Sequence, residues 1–270
     1  MSEEFYSLHE LALRDPLGAR DGQSPHRGKT MLIDKGLGIH SFKDLLETAG
    51  EYIDYVKLGF GTAALYPASV LETKLSLAKE YQVAVYPGGT FFEVAFKHGK
   101  VKEYIIQMNQ LGFTKIEVSD GTIDISEQDR QKSIALAKEM GFDVITEYGK
   151  KLDGSHVELV TMTQTISSDL AAGASYVIIE GRESGENVGI YQNNGKIQDQ
   201  FEQIAEAVSP YQEVVIWEAP KKNQQVELMK WFGPNVNLGN IAPEEIYSVE
   251  SLRRGLRSDT FFLPTRREPR

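Results

Sequence analysis

The sequence predicts a single (β/α)8 barrel, and three observations carry that prediction. Apolar strand-like runs alternate strictly with amphipathic helix-like stretches, which implies a parallel sheet. Eight such pairs fit into about 230 residues, the scale of a closed barrel rather than an open sheet. No GxGxxG turn marks the rival doubly wound fold; GFGTAA at 59 to 64 lacks the final glycine.

The elements follow in order. TMLIDKG, ending near Gly36, is the first strand, and a helix runs from Ser41, its expected N-cap, to Tyr52. YVKLGFG (55–61) is the second strand, followed by a helix from Ala68 to Tyr81. QVAVYPGG ends the third strand unit at Gly89, and the helix Val101 to Leu111 leads to KIEVSDG (115–121). The next helix spans Ser126 to Met140, with Ser126 as N-cap and Asp129 as the acidic partner of a capping box. DVITEYGKK (143–151) precedes a helix from Thr163 to Ala172 that Gly173 closes. YVIIEGRESG (176–185) precedes a helix from Ile197 to Val208, and EVVIWEAP (213–220) one from Asn223 to Phe232. NVNLGNI (235–241) is the eighth strand, and Pro243 opens the last helix, to Leu256.

The barrel thus occupies 29–257, between an N-terminal arm (1–28) and a C-terminal tail (258–270). Both read as disordered extensions, except that the Phe261–Phe262 pair predicts packing on the barrel or on a second subunit.

Composition narrows the function. Of 270 residues 41% are hydrophobic, enough for a substantial core, and the formal charge of −10 without a long basic stretch argues against nucleic acid. The chain has no cysteine, so disulfides, thiolate metal sites and a cysteine nucleophile are excluded. The acidic start has no signal-peptide character, and no run approaches the roughly 18 apolar residues of a membrane helix. The expectation is a soluble cytoplasmic protein with no membrane contact. His9, His26, His40, His98 and His156 show no metal-binding spacing.

The chemistry lies in a repeat. VITE (144–147), VIIE (177–180) and VIWE (215–218) end three consecutive strands, and KIEVSD before them carries Glu117 at a comparable depth. Alternation gives residues two apart one face, so Glu147 and Lys151 point the same way, as do Glu180 and Arg182. Beneath outer helices such carboxylates would be costly, so they belong to the lumen or its C-terminal rim, where barrel enzymes keep their catalytic groups. Lys35, Lys57, Lys150, Lys151 and Arg182 supply cations at strand ends. Carboxylate oxygens suit Mg2+, and Lys and Arg suit phosphate or carboxylate. Paired layers of this kind also occur as purely structural networks, although several buried ion pairs are weak stabilisers. Glycine-rich turns at PGGTFFE (87–93), SDGTIDIS (119–126) and LGNIAPEE (238–245) offer backbone N–H groups to phosphate, with Gly239 and Asn240 preferred, or simply allow tight turns.

Taken together, IDKGLG (33–38), VKLGFGT (56–62), YPGGTFFE (86–93), IEVSDGTI (116–123), TEYGKK (146–151), EGRESGE (180–186), WEAP (217–220) and NLGNI (237–241) resemble the phosphosulfolactate synthase family from about residue 28 to 257. The family's strand-five motif is closer to EVGKK; Tyr148 departs from it. The resemblance implies Mg2+-dependent addition of sulfite to phosphoenolpyruvate, giving (2R)-phospho-3-sulfolactate, on one route to coenzyme M. For that reaction, the parity shared with Glu147 makes Lys151 the expected general acid, with Lys150 the alternative where the turn after Gly149 breaks the alternation, and the role calls for a depressed lysine pKa. Glu147 and Glu180, then Glu117 and Asp120, are the expected Mg2+ ligands. Lys57 and Arg182 are expected to clamp the substrate anions, with Lys35 nearby, and Gly239 and Asn240 to cradle the phosphate. The expected assembly is a homo-oligomer, with a trimer as one candidate form. The rival readings are a Schiff-base aldolase using Lys57 or Lys151, and a non-catalytic barrel that binds an anionic metabolite.

Overall fold

The computed structural model describes residues 13–18, 20, 27–152, 154–199 and 201–263. Eight parallel strands form a nearly closed barrel: β1 (Thr30–Asp34), β2 (Tyr55–Leu58), β3 (Ala84–Pro87), β4 (Lys115–Val118), β5 (Asp143–Tyr148), β6 (Ala174–Ile179), β7 (Val215–Glu218) and β8 (Leu238–Ile241). Neighbours pair in the order β3-β2-β1-β8-β7-β6-β5-β4. Among the described residues no backbone ladder joins β3 to β4, which leaves one seam.

Helices α1 (Ile39–Ala49), α2 (Ala68–Glu80), α3 (Gly89–Lys97), α4 (Val101–Leu111), α5 (Glu127–Glu139), α6 (Leu159–Ala172), α7 (Phe201–Val208), α8 (Lys222–Phe232) and α9 (Ile246–Arg253) surround the strands. The expected alternation holds, with one addition: α3 directly follows β3. PGGTFFE is therefore a helix start capped by Gly88, not an open turn, and its Phe92 and Ala95 are buried. Ser126 caps α5 as expected, accepting the Asp129 N–H at 3.1 Å. Ser41 does not cap α1. The Asp34 carboxylate accepts the N–H groups of Gly36 and Leu37 at 2.8 and 2.7 Å, so the helix starts earlier, after Gly38.

Strand parity sorts the side chains into layers. Outward residues such as Leu32, Val56, Ile116, Val144, Val177, Val215 and Leu238 pack under the helices. Inward, Met31, Tyr55, Tyr86, Ile145, Ile178 and Ile216 form an apolar plug across the lower lumen. Two residues further along β2, β5, β6 and β7 stand Lys57, Glu147, Glu180 and Glu218, so a buried charged layer lies directly above the plug. Gly239 on β8 has no side chain to add; a Cβ there would lie 2.3 Å from the Met31 Cε.

Most of the N-terminal arm and the end of the tail lie outside the described residues. Within them, Leu17 lies against Gly255, and Arg20 grips Glu250 through Nε (3.2 Å) and Nη2 (3.0 Å). Phe261 and Phe262 are exposed, with their rings edge to face against each other.

Candidate active site

The charged layer is a ring of carboxylates around two lysines. Lys57 Nζ lies 3.1 Å from Glu117, 3.0 Å from Glu147 and 3.2 Å from Glu218, and the side chain is 8% exposed. Lys57 is thus the shared counter-ion at the base of the ring. Burial alone would lower its pKa, but the three carboxylates outweigh that and hold it well above its ordinary value.

Lys151 enters from above. Its Nζ stands 2.7 Å from Glu147 Oε1, 3.6 Å from Glu180 Oε2 and 3.8 Å from Glu93 Oε1, and 26% of the side chain remains exposed. Burial pulls its pKa down, yet Glu147 and Glu180 win and hold it above the ordinary lysine range. The expected depression is therefore reversed in this state: carboxylates, not cations, surround the ammonium. Lys150, its neighbour, turns away. Its Nζ donates to the carbonyls of Asp120 (2.8 Å) and Ile123 (2.9 Å) and to the Asp124 carboxylate (2.9 Å), tying down the loop after β4.

The carboxylates are held unequally. For Glu147, burial is outweighed by Lys151 and Lys57, and its pKa falls below the usual carboxylate range. Glu180 goes the other way: burial, then Glu147 and Glu218, push it well above the usual range. Glu117 is pushed up to about 7, chiefly by burial and against the pull of Lys57. Five acidic side chains, including Glu93, thus meet two lysines, which leaves a surplus of negative charge around them.

One trio could relieve it with a metal. Oxygens of Glu147, Glu180 and Glu218 lie within 4.8 Å of one another, all buried. Glu180 Oε2 is buried without a hydrogen-bond partner, while Oε1 accepts the Arg182 N–H at 2.6 Å. Glu218 Oε2 accepts the Gly181 N–H at 3.0 Å. A hard divalent cation fits this all-oxygen set. Of the sequence-expected ligands, Glu147 and Glu180 belong to the trio and Glu218 joins them. Glu117 stands beside it, with its Oε1 held by the Gly89 N–H at 2.7 Å. Asp120 lies apart, paired to Arg130 at 3.0 Å. Gly149 makes room between β5 and β6: its φ is +126°, and a Cβ would come within 2.7 Å of the Glu180 Cβ.

The remaining cations are at the rim. Arg182, with φ of +57°, makes no side-chain ion pair among the described residues. Exposed Lys35 sits 5.6 Å above the Phe60 ring. Asn240, also left-handed at φ of +54°, is buried and its Oδ1 has no hydrogen-bond partner. Cavities of about 350 and 510 Å3 open at the opposite end of the barrel, beside Arg27 and Lys29, away from the charged layer.

Outside the wall, Arg130 of α5 supports the ring. It donates to both oxygens of buried Asp169 on α6, to Asp120, and to the backbone carbonyl of Glu147 at 2.9 Å. Arg130→Met leaves Asp169 buried without its cation. The expected cost is about 3–5 kcal/mol, read as a lower urea midpoint. A loss below about 1 kcal/mol, the range of exposed pairs, would show that the pair is not supporting the fold.

Comparison with known proteins gives concordant matches. The family model described as (2R)-phospho-3-sulfolactate synthase (ComA) matches residues 19–259. A phosphosulfolactate synthase from Methanocaldococcus jannaschii is 45% identical over 238 residues, covering 87% of this chain and 94% of that one. One from Methanothermobacter thermautotrophicus is 42% identical over 245 residues (89% and 94%), and one from Bacillus subtilis 36% over 264 residues (95% and 100%). Among solved structures, the YdjI aldolase of Escherichia coli K12 superposes with a TM-score of 0.55 at 12% identity, covering 89% of this chain and 84% of that one. The N-acetylneuraminate lyase of Mycoplasma synoviae gives 0.53 at 9%, with 90% and 80% covered. These two likenesses are of fold alone.

Proposed function

Because the chain belongs to the (2R)-phospho-3-sulfolactate synthase family and is an enzyme of that type, we propose that it adds sulfite to phosphoenolpyruvate in an Mg2+-dependent reaction. The observation that carries this reading is the juxtaposition of a buried three-carboxylate cluster with Lys151, whose Nζ lies 2.7 Å from one of its members.

Sulfite is itself a strong nucleophile, which suits a site without cysteine or an activated serine. Its sulfur lone pair forms the C–S bond at the methylene carbon of phosphoenolpyruvate. The electron pair of the double bond shifts toward the carboxylate. A proton from Lys151 Nζ then reaches the carbon that bears the phosphate, and delivery from one face sets the configuration. Glu147 and Glu180 orient that ammonium. Arg182 and Lys35, the cations without buried partners, meet the anionic groups of the substrates, and the phosphate lies toward Gly239 and Asn240. Glu147, Glu180 and Glu218 would hold Mg2+, which when bound supplies Lewis-acid stabilisation of the charge developing on the substrate carboxylate and offsets the carboxylate field around Lys151. A Schiff-base mechanism fits less well, since it needs a neutral amine, and carboxylates at 3.0 Å from Lys57 and 2.7 Å from Lys151 favour the charged one.

The test follows loss of the enol absorbance of phosphoenolpyruvate on mixing with sulfite and Mg2+, with and without EDTA. Loss that requires both sulfite and metal is expected. No loss with folded protein, or loss without sulfite, would reject the reaction. Glu180→Gln keeps the size and removes the ligand charge. The Mg2+ concentration for half-maximal activity should rise by about 10–100-fold or more, the range seen when even an outer-shell partner is removed. An unchanged metal requirement would take Glu180 out of the metal set.

A further inference from the structure

The seam between β3 and β4 carries no backbone ladder, yet it lies beside the proton donor. At the rim, side chains cross it instead. Glu93 on α3 is 2% exposed. It accepts the Ser119 hydroxyl at 2.6 Å through Oε1 and the Thr122 N–H at 2.9 Å through Oε2. Its Oε1 also faces Lys151 Nζ at 3.8 Å, so a third carboxylate, after those of Glu147 and Glu180, stands near the ammonium.

The segment that Glu93 grips is the bed on which Lys151 lies. The Lys151 N–H donates to the Gly121 carbonyl at 2.9 Å, one residue before Thr122. The Lys151 stem crosses Gly121 so closely that a Cβ there would be 3.0 to 3.2 Å from Cγ, Cδ and Cε. Any shift of Thr122 moves Gly121, and with it the lysine stem. Glu93 has two oxygens spent on fixing that segment and one of them turned to the ammonium. A carboxylate used only to staple a seam has no need to face the lysine, and the Glu117 carboxylate already crosses the seam through Gly89.

We infer that Glu93 is a positioning residue: it clamps the loop after β4 to α3 and thereby aims Lys151 at one face of the substrate. The inference rests on the proposed role of Lys151 as proton donor. Mis-aiming should cost rate and facial selectivity and leave anion binding alone, since Glu93 touches none of the rim cations.

Glu93→Ala is measured for kcat, KM for phosphoenolpyruvate and product configuration. The expected result is a kcat lower by about 10²-fold, the scale of an ångström of misplacement, with KM unchanged and (2S) product appearing beside (2R). Glu93→Asp keeps the charge and shortens the reach; it reads the same quantities and is expected to show the same changes, smaller in size, so the test stands if the alanine variant fails to fold. A purely structural Glu93 would alter thermal stability only. Wild-type kcat and pure (2R) product in a folded variant would overturn the inference. The sulfite-dependent activity of the unmodified enzyme is measured alongside, and its absence would strike the proposed reaction rather than Glu93.

Discussion

Lys151→Ala is expected to lower turnover by about 10²–10⁴-fold, the usual contribution of a positioned acid or base, while phosphoenolpyruvate still binds. The lysine is the cation that both enters the carboxylate ring and keeps part of its surface exposed. Its removal takes away the proton source but leaves Arg182 and Lys35 to meet the substrate anions. Glu147 loses its closest cation yet keeps Lys57 at 3.0 Å, so the fold should survive. Direct binding of phosphoenolpyruvate, by calorimetry, and single-turnover rate separate the two effects. A variant with unchanged rate would move the acid to another group; one that loses rate only through lost binding would make Lys151 a substrate clamp. Lys150→Ala separates the donor from its bed: it loosens the segment under Lys151 without removing the ammonium, so a rate loss smaller than that of Lys151→Ala is expected.

Lys57→Met should instead break the protein. Methionine fills most of the volume, but Glu117, Glu147 and Glu218 would share the lumen without their common cation. Removing one partner of a buried pair costs about 3–5 kcal/mol, and here three partners are left. A urea midpoint lowered by at least that equivalent is expected, with activity lost in the fraction that still folds. If stability fell by less than about 1 kcal/mol, the ring would have to be relieved by protons or by bound metal. Repeating the Lys57→Met urea titration in about 10 mM Mg2+ distinguishes the two, because a ligand that binds the folded state raises its stability.

Much of the fold was legible because each βα unit declares itself locally. An apolar run such as VITE or VIIE, then a cap such as Ser126, then a 3.6-residue pattern needs no knowledge of the rest of the chain. The helix α3 was missed because Gly88 and Gly89 look like an open turn; the Phe92–Phe96 spacing was the available signal. The carboxylate repeat was equally legible, since parity alone puts Glu147, Glu180 and Glu218 on one face above Ile145, Ile178 and Ile216. Which three converge was not legible. Glu117 has the same parity, but its place beside the seam turns it toward Gly89 and Lys57, and Asp120 is captured by Arg130. Glu93 and Lys74 carried no signal at all. Lys74 lies within an ordinary amphipathic helix, and only the tertiary structure shows it fully buried against Asp34, Tyr66 and the Leu37 carbonyl.

The missing ladder between β3 and β4 also bears on how the barrel yields under load. Among the described residues, seven of its joints are rows of backbone bonds that resist sliding together, whereas the eighth is bridged by the Glu93 and Glu117 carboxylates, which can pivot about their own torsions. Compliance is therefore concentrated along one vertical line of the wall. The circumference can widen slightly there without any ladder bond breaking, and the widening is felt first by the loop that carries Gly121 and the lysine above it.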